Sequence, residues 1–351
     1  MKELQDFVKS LKSRESRRKF DPHLPARAWS EDDLVLGRKS RAFVIVLRTG
    51  GCRWSKVSGC TMCGYFNESL SRDATKEELL SQLKNALSKY NGEECIKIFT
   101  SGSFLDSIEV PEEAQIEIIE RLAKKETVKK ISVESRPEFV KSDRIRKLRE
   151  IAKSKVFEIG IGLESANDHV LECCINKGFR FEDYKRAVSI LREEDVKIKT
   201  YVLIKPPFLK EFEAIKDSIE TVKKIRELTD VISFNPVSVH KNTLVEYLWR
   251  NGEYRPPWLW SVVEVLKKSK EIAGNLEIKC DVTGRGGKRG AHNCSKCSNK
   301  VLDAIARFSI EQDVNIFDGL NCECREMWKE LLDLEQFSYS QLVVDYDNRK
   351  R

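Results

Sequence analysis

The chain has 351 residues, 40% hydrophobic and 34% charged, so it can bury a sizeable core beneath a well-solvated surface. No apolar run approaches the length of a membrane span, and the charged opening from Met1 to Phe20 lacks a signal-peptide core, which argues against a membrane partner and for a cytoplasmic protein. The net charge of +7 permits an acidic partner such as RNA without demanding one.

Residues 1–37 read as a basic N-terminal arm carrying Lys9, Lys12, Arg14, Arg17, Arg18 and Lys19. From residue 38 to 250, short β-rich runs alternate with amphipathic helical stretches. The runs are Ala42–Leu47, Ile96–Thr100, Lys130–Val133, Phe157–Gly162, Lys197–Leu203 and Val231–Asn235. The helical patterns cover Lys76–Tyr90, Pro111–Lys125, Ser142–Lys153, Phe181–Glu194 and Glu211–Leu228, and Pro111 suits a first helical turn. Strict alternation predicts an α/β fold with a parallel sheet and crossover helices. Six units suit a partial (β/α)6 TIM-like barrel better than a closed one, with the chemistry at the C-terminal ends of the strands. The stretch Asn251–Trp260 mixes turn residues, prolines and tryptophans as a linker does. It opens a C-terminal region, 251–351, with a helix, a glycine-rich basic loop (Gly284–Gly290), a cysteine group and a helix near Arg325–Leu334. The tail Asn348–Arg351 reads as disordered.

Seven of the eleven cysteines fall in two groups, which in a reducing compartment points to metal or iron–sulfur ligation rather than disulfides. Cys52, Cys60 and Cys63 directly follow the first expected strand, where a partial barrel places reactive groups. Three thiolates can hold three irons of a [4Fe–4S] cluster and leave the fourth open to a small chelating ligand. Zinc is the alternative, but a structural zinc asks for four protein ligands and no fourth Cys or His lies nearby in sequence. The second group, Cys294, Cys297, Cys322 and Cys324, is a four-thiolate set. Tetrahedral zinc is its simplest occupant; a second iron–sulfur cluster, a site using His292, and no metal at all are the alternatives. Arg285, Lys288 and Arg289 in the neighbouring loop suit phosphates. Trp249, Trp258 and Trp260 suit either base stacking or packing at a domain junction.

The segment RTGGCRWSKVSGCTMCGYFNE resembles the radical SAM superfamily, in which three cysteines after the first strand bind the cluster and S-adenosylmethionine (SAM) chelates the fourth iron. The superfamily's usual Cys-x3-Cys-x2-Cys spacing is widened here between the first two cysteines. Further likenesses follow along the barrel. Ser101, Gly102 and Ser103 resemble the glycine-rich turn that approaches the SAM amino group. Glu134-Ser135-Arg136-Pro137 resembles an element of the elongator catalytic subunit and implies that Glu134 meets SAM. The stretch FEIGIGLESANDHVLECCINKGF is similar to the elongator, methylthiotransferase and coproporphyrinogen-oxidase group. It implies SAM contacts from Glu164 and Ser165, and from Lys177 where relatives carry an arginine for the SAM carboxylate. Cys173 and Cys174 read as core thiols.

FTSGSFLD, SVESRPEF, GLESAND, INKGF, HNCSKC and the FSIEQD–CEC ending together resemble the radical SAM enzymes of archaeosine formation. That resemblance implies a lyase using a 5′-deoxyadenosyl radical. Its substrate would be a lysine attached to 7-cyano-7-deazaguanine in the tRNA D-loop, cleaved at the carbon–nitrogen bond of the lysine arm. The resemblance also implies a lysine-transferring partner subunit and an external electron donor. Another radical SAM enzyme acting on tRNA or a small molecule, and a non-catalytic zinc–RNA module, are the competing readings.

Overall fold

The computed structural model describes residues 2–12, 19–284 and 286–347. One eight-stranded sheet runs in chain order through β1 (Arg27–Val35), β2 (Arg38–Val46), β3 (Cys95–Phe99), β4 (Lys130–Ser135), β5 (Val156–Glu164), β6 (Lys197–Ile204), β7 (Val231–Pro236) and β8 (Glu277–Cys280). β1 pairs antiparallel with β2, and every later pairing is parallel. The six expected strands are therefore present as β2 to β7. A hairpin partner before them and a seventh parallel strand after them extend the sheet. Lys279 of β8 forms an ion pair with Asp33 of β1, so the two ends of the sheet curl toward each other.

Eleven α-helices accompany the sheet: α1 (Lys2–Lys12), α2 (Arg53–Val57), α3 (Lys76–Leu87), α4 (Glu112–Ala123), α5 (Ser142–Ala152), α6 (Phe181–Glu193), α7 (Glu211–Ile225), α8 (Leu244–Arg250), α9 (Leu259–Ala273), α10 (Ser298–Glu311) and α11 (Cys324–Glu335), counted among the described residues. α3 starts on a capping box in which Thr75 accepts from the Glu78 amide and Glu78 accepts from the Thr75 amide. Pro111 is the N-cap of α4, one place before the first turn expected for it. None of these helices is long and apolar enough to cross a membrane.

The strands have two different faces. Outward residues such as Ile98, Ile131, Val133, Ile159, Ile198 and Ile232 are fully buried beneath helices. The inward face is charged. Lys97 meets Glu31 at 2.7 Å and Asp33 at 2.9 Å, while Glu158 meets Lys130 at 2.5 Å and Lys199 at 3.2 Å. Burial alone would raise the Asp33 carboxyl, but Lys97, Lys279 and Lys199 hold it far below the usual carboxylate range. The barrel thus has a floor of matched ion pairs, and a polar lumen above it.

The C-terminal region shares this core. One hydrophobic cluster contains Val8, Ile159, Trp258, Phe308 and Leu331 together, and β8 lies beyond residue 251 yet completes the sheet. The linker expected at Asn251–Trp260 is a buried strap from Tyr254 onward. Tyr254 donates to the Lys205 carbonyl at 2.8 Å, and the Trp258 amide donates to buried Glu211 at 2.7 Å. Prolines and tryptophans look alike in a linker and in a strap; what separates them is burial, which sequence composition does not record. Trp258 and Trp260 are packing residues, not stacking platforms. The expected disordered tail, residues 348–351, lies outside the described residues, as do Arg14, Arg17, Arg18 and Arg285.

Candidate active site and metal centres

The first cysteine loop leaves β2 at the C-terminal end of the sheet. Cys52 caps α2, and this five-residue helix accounts for the extra length before Cys60. The insertion is anchored rather than loose. Trp54 Nε1 donates to the Asn176 carbonyl at 2.8 Å, and Asn176 Nδ2 donates to Ser58 Oγ and the Gly59 carbonyl, each at 2.8 Å. Thr61 donates through its amide to the Ile175 carbonyl and through Oγ1 to that of Cys174. These carbonyls come from a π-helical turn, Val170–Ile175, which ends at Asn176 in a left-handed conformation. Cys174 is buried and Cys173 half-buried on that turn. From the other side, α1 lays Lys12 over the loop. Its Nζ donates to the Ser58 carbonyl at 2.9 Å and lies 5.0 Å from the Phe66 ring centroid. Burial lowers the Lys12 pKa, opposed by the charges of Cys63, Cys60 and Cys52.

The glycine turn sits directly behind this loop. A Cβ on Gly102 would stand 2.6 Å from Cys52 Cα, so only glycine lets the two backbones touch. Ser103 donates its amide to Glu109 at 2.6 Å, and Thr49 donates Oγ1 to the same carboxylate at 2.6 Å. Glu109 therefore ties the glycine turn to the start of the cysteine loop, and burial pushes its carboxyl up to about 7. Ser103 Oγ accepts from the Arg136 amide at 3.0 Å, and Ser101 is buried in the same turn.

The Arg136 guanidinium pairs with Glu138 at 2.5 Å and donates to the Lys177 carbonyl at 3.0 Å. Burial works against its charge, while Glu138, Cys60 and Cys52 raise its pKa. Lys177 Nζ meets Glu164 at 2.7 Å in a buried pair. Burial likewise opposes the Lys177 charge, and Glu164 outweighs it. Glu164 follows a register shift in β5 and has φ 77°, a strained value for any residue but glycine. Ser165 turns the other way: it is fully buried, and its Oγ donates to Asp217 of α7 at 2.9 Å. Ser101, Gly102, Ser103, Glu134, Glu164 and Lys177 thus converge around the cysteine loop, and Ser165 does not join them.

Glu134 faces the lumen beside Tyr201, where a Cβ on Gly160 would stand 2.8 Å from the Tyr201 ring. Burial pushes the Glu134 carboxyl up to about 7, with Tyr201 and Lys199 pulling it down. Tyr65 hangs over the same space. It is 64% exposed, yet enclosure raises its pKa well above the ordinary value, helped by Glu134, Cys63, Glu164 and Asp281. Sequence reading missed Glu109, Tyr65, Tyr201 and Asp281, and gave Lys12 to the basic arm rather than to the cysteine loop. A signal for the lumen was present: charged residues set among the apolar ones of the strands, at Lys97, Lys130, Glu158 and Lys199, mark an inward polar face.

The second cysteine group is compact. Cys294 Sγ lies 3.6 Å from Cys297 and 3.5 Å from Cys322, Cys297 lies 3.6 Å from Cys324, and all four sulfurs are within 4.8 Å of one another. Sulfurs bound to one tetrahedral ion at the usual zinc–sulfur length stand about 3.8 Å apart. The spacing fits a single ion and is too tight for sulfurs on separate irons of a cubane. Trp260 Nε1 donates to Cys324 Sγ at 3.3 Å. His292 Nδ1 faces the Gly290 carbonyl at 2.8 Å and is not part of the group. In the basic loop, Arg289 pairs with Glu246 at 2.6 Å and lies 5.0 Å from the Trp249 ring centroid, while Lys288 stays exposed.

The family model described as the Radical SAM superfamily matches residues 46–219. A Methanosarcina acetivorans protein named archaeosine synthase subunit beta is 40% identical over 323 residues, covering 92% of this chain and 93% of that one. A Thermococcus kodakarensis protein of the same name is 41% identical over 310 residues, covering 87% and 96%. The chain belongs to the radical SAM superfamily, in the archaeosine synthase β-subunit family. Among solved structures, Methanocaldococcus infernus Elp3 with an N-terminal deletion aligns with TM-score 0.48 at 14% identity, covering 77% of this chain and 63% of that one.

The superfamily's [4Fe–4S] cluster and SAM fit the residues present. Burial raises the Cys52 thiol, and pushes Cys63 up to about 12, so as thiolates they need a bound cation. Among the described residues they do not form a group as tight as the second one, in keeping with ligands to separate irons. Arg136, Lys177 and Lys12 supply positive charge around them.

Proposed function

We propose that this protein is the radical SAM lyase of archaeosine formation. Its substrate is tRNA whose D-loop 7-cyano-7-deazaguanine carries a lysine; cleavage of the C–N bond of that lysine arm leaves the amidine of archaeosine. One observation carries this reading. The three-thiol loop, the glycine turn and the Glu164–Lys177 pair meet at the mouth of a polar lumen, in a protein 40% identical to a named archaeosine synthase subunit beta over 92% of its length.

Cys52, Cys60 and Cys63 would hold the cluster, and cluster with SAM would supply the 5′-deoxyadenosyl radical. The protein's own residues do the positioning. Gly102 lets the turn backbone pack against Cys52 and so fixes the cysteine loop, Lys177 offers an ammonium to a carboxylate, and Glu134 offers a carboxylate to an ammonium. The lumen walls shield a reactive hydrogen from solvent quenching. In this reading a hydrogen atom leaves the lysine carbon beside the amidine nitrogen. The carbon radical so formed gives up its electron to a one-electron acceptor and becomes an iminium ion. Water adds to it, so that the C–N bond parts into the amidine and an aldehyde.

The β-subunit name of the relatives supports a second subunit, which we take to be the lysine transferase, and an external reductant completes the cycle. Zinc is our assignment for the second thiol group, on its single-ion spacing. Lys9, Lys19, Lys241 and Lys288 are exposed cations available to tRNA phosphates. The test is incubation of anaerobically reconstituted protein with lysine-adduct tRNA, SAM and a reductant. Archaeosine and 5′-deoxyadenosine are expected by mass spectrometry; 5′-deoxyadenosine without archaeosine would contradict the reading.

A further inference from the structure

We propose that Asp281, just past the end of β8, receives the α-ammonium group of the substrate's lysine arm and selects for it. This rests on the function proposed above. The inward face of β8 reads Glu277, Lys279, Asp281. Glu277 and Lys279 pair with each other at 2.8 Å, and Lys279 also pairs with Asp33. Asp281 stands one step above them, open to water, and its side chain has no hydrogen bond or ion pair among the described residues. Its backbone continues the sheet, with its amide donating to the Phe234 carbonyl at 3.0 Å.

The charges of the lumen set this carboxylate apart. Lys97, Lys130, Lys199 and Lys279 are matched in the floor, and Lys177 is matched by Glu164. Among the described residues, Glu134 and Asp281 are lumen carboxylates with no ion pair. The Glu134 carbonyl accepts the Phe104 amide at 2.8 Å, which places Glu134 on the glycine-turn wall with the cofactor residues. Asp281 directly follows the last strand of the sheet, four strands away from β4 across the lumen, and so faces what enters opposite the cofactor. The charges of both carboxylates add to the rise in the Tyr65 pKa, after burial. Enclosure raises the Asp281 pKa, and the floor lysine Lys97 only partly offsets this. A carboxylate held this way in a recess lacks a counter-charge, and a primary ammonium is the group that supplies both charge and hydrogen bonds. The lysine arm carries one at its far end.

The experiment compares two chemically prepared adduct tRNAs, one bearing lysine and one bearing 6-aminohexanoate, which is the same arm without the α-ammonium. Binding and turnover of both are measured with the reconstituted enzyme and with Asp281→Asn. The wild type should favour the lysine arm by about 10- to 100-fold in affinity or kcat/KM, the loss expected for one charged hydrogen-bonded contact. Asp281→Asn should bind SAM normally and treat the two arms alike. Equal treatment by the wild type overturns the proposal without any variant, and full selectivity in Asp281→Asn overturns it as well. If the wild type makes archaeosine from neither adduct, the function proposed above fails. The binding comparison then still decides whether Asp281 reads an ammonium.

Discussion

The two cysteine groups use the same atom for opposite ends. Cys294, Cys297, Cys322 and Cys324 are drawn to within 4.8 Å, mostly buried, and placed where the N-terminal ends of α9, α10 and α11 meet. Four thiolates would close the coordination sphere of a single ion and leave no position for a substrate. Cys52, Cys60 and Cys63 lie on a loop at the open end of the barrel, all three half-buried, beside a turn that touches Cys52 and cations that face the thiols. Three thiolates leave one position free. The difference teaches that closure, rather than ligand identity, separates a staple from a reactive centre.

The largest effect should come from breaking the open group. Cys60→Ala should abolish 5′-deoxyadenosine formation, a loss of at least about 10³-fold, while circular dichroism and Tm stay close to wild type; a large fall in Tm would erase the contrast. Breaking the closed group should do the reverse. Cys297→Ala should lose one equivalent of bound metal and lower Tm by about 10 °C or more, as loss of a structural site of several kcal/mol implies. Its first cluster should still form, as its visible absorbance would report.

Lys177→Ala comes next. It leaves Glu164 buried and unpaired, which costs roughly 3 kcal/mol by chemical denaturation, and it should weaken SAM binding by about 10- to 100-fold. The pH dependence is smaller. Glu134 is raised to about 7 by burial, so it is protonated below that pH and an anion above it. If it accepts the SAM ammonium, affinity should fall as pH drops through about 7, by at most about tenfold per pH unit, and Glu134→Gln should flatten the profile. Calorimetry between pH 6 and 8 reads this. The smallest effect belongs to Ser165→Ala. Its hydroxyl faces Asp217, so the loss should be about 1 kcal/mol of stability with no change in SAM affinity.

Much of the barrel was legible because β–α alternation and thiol spacing are local properties of the sequence. Each of β2 to β7 stands where an apolar run announced it, and both cysteine groups were visible as groups. What escaped depends on distant partners. β1 is polar over Ser30–Asp33 because it helps build the charged floor, so it did not read as a strand. β8 has only four residues and joins the sheet by packing. Lys12 reaches the cysteine loop across 46 positions of sequence, and Ser165 is turned to α7 by a contact across 52. Neither direction is encoded near those residues. The strap at Tyr254–Trp260 misled for the same reason, since its burial comes from β6 and α7 rather than from its own composition.

The most direct measurement is the electron paramagnetic resonance spectrum of the anaerobically reconstituted, reduced protein before and after SAM is added. A [4Fe–4S]+ signal whose g values shift on adding SAM is the predicted result, because SAM must reach an iron that no thiolate occupies. A signal that SAM leaves unchanged, or no cubane in iron-replete protein, would contradict the account.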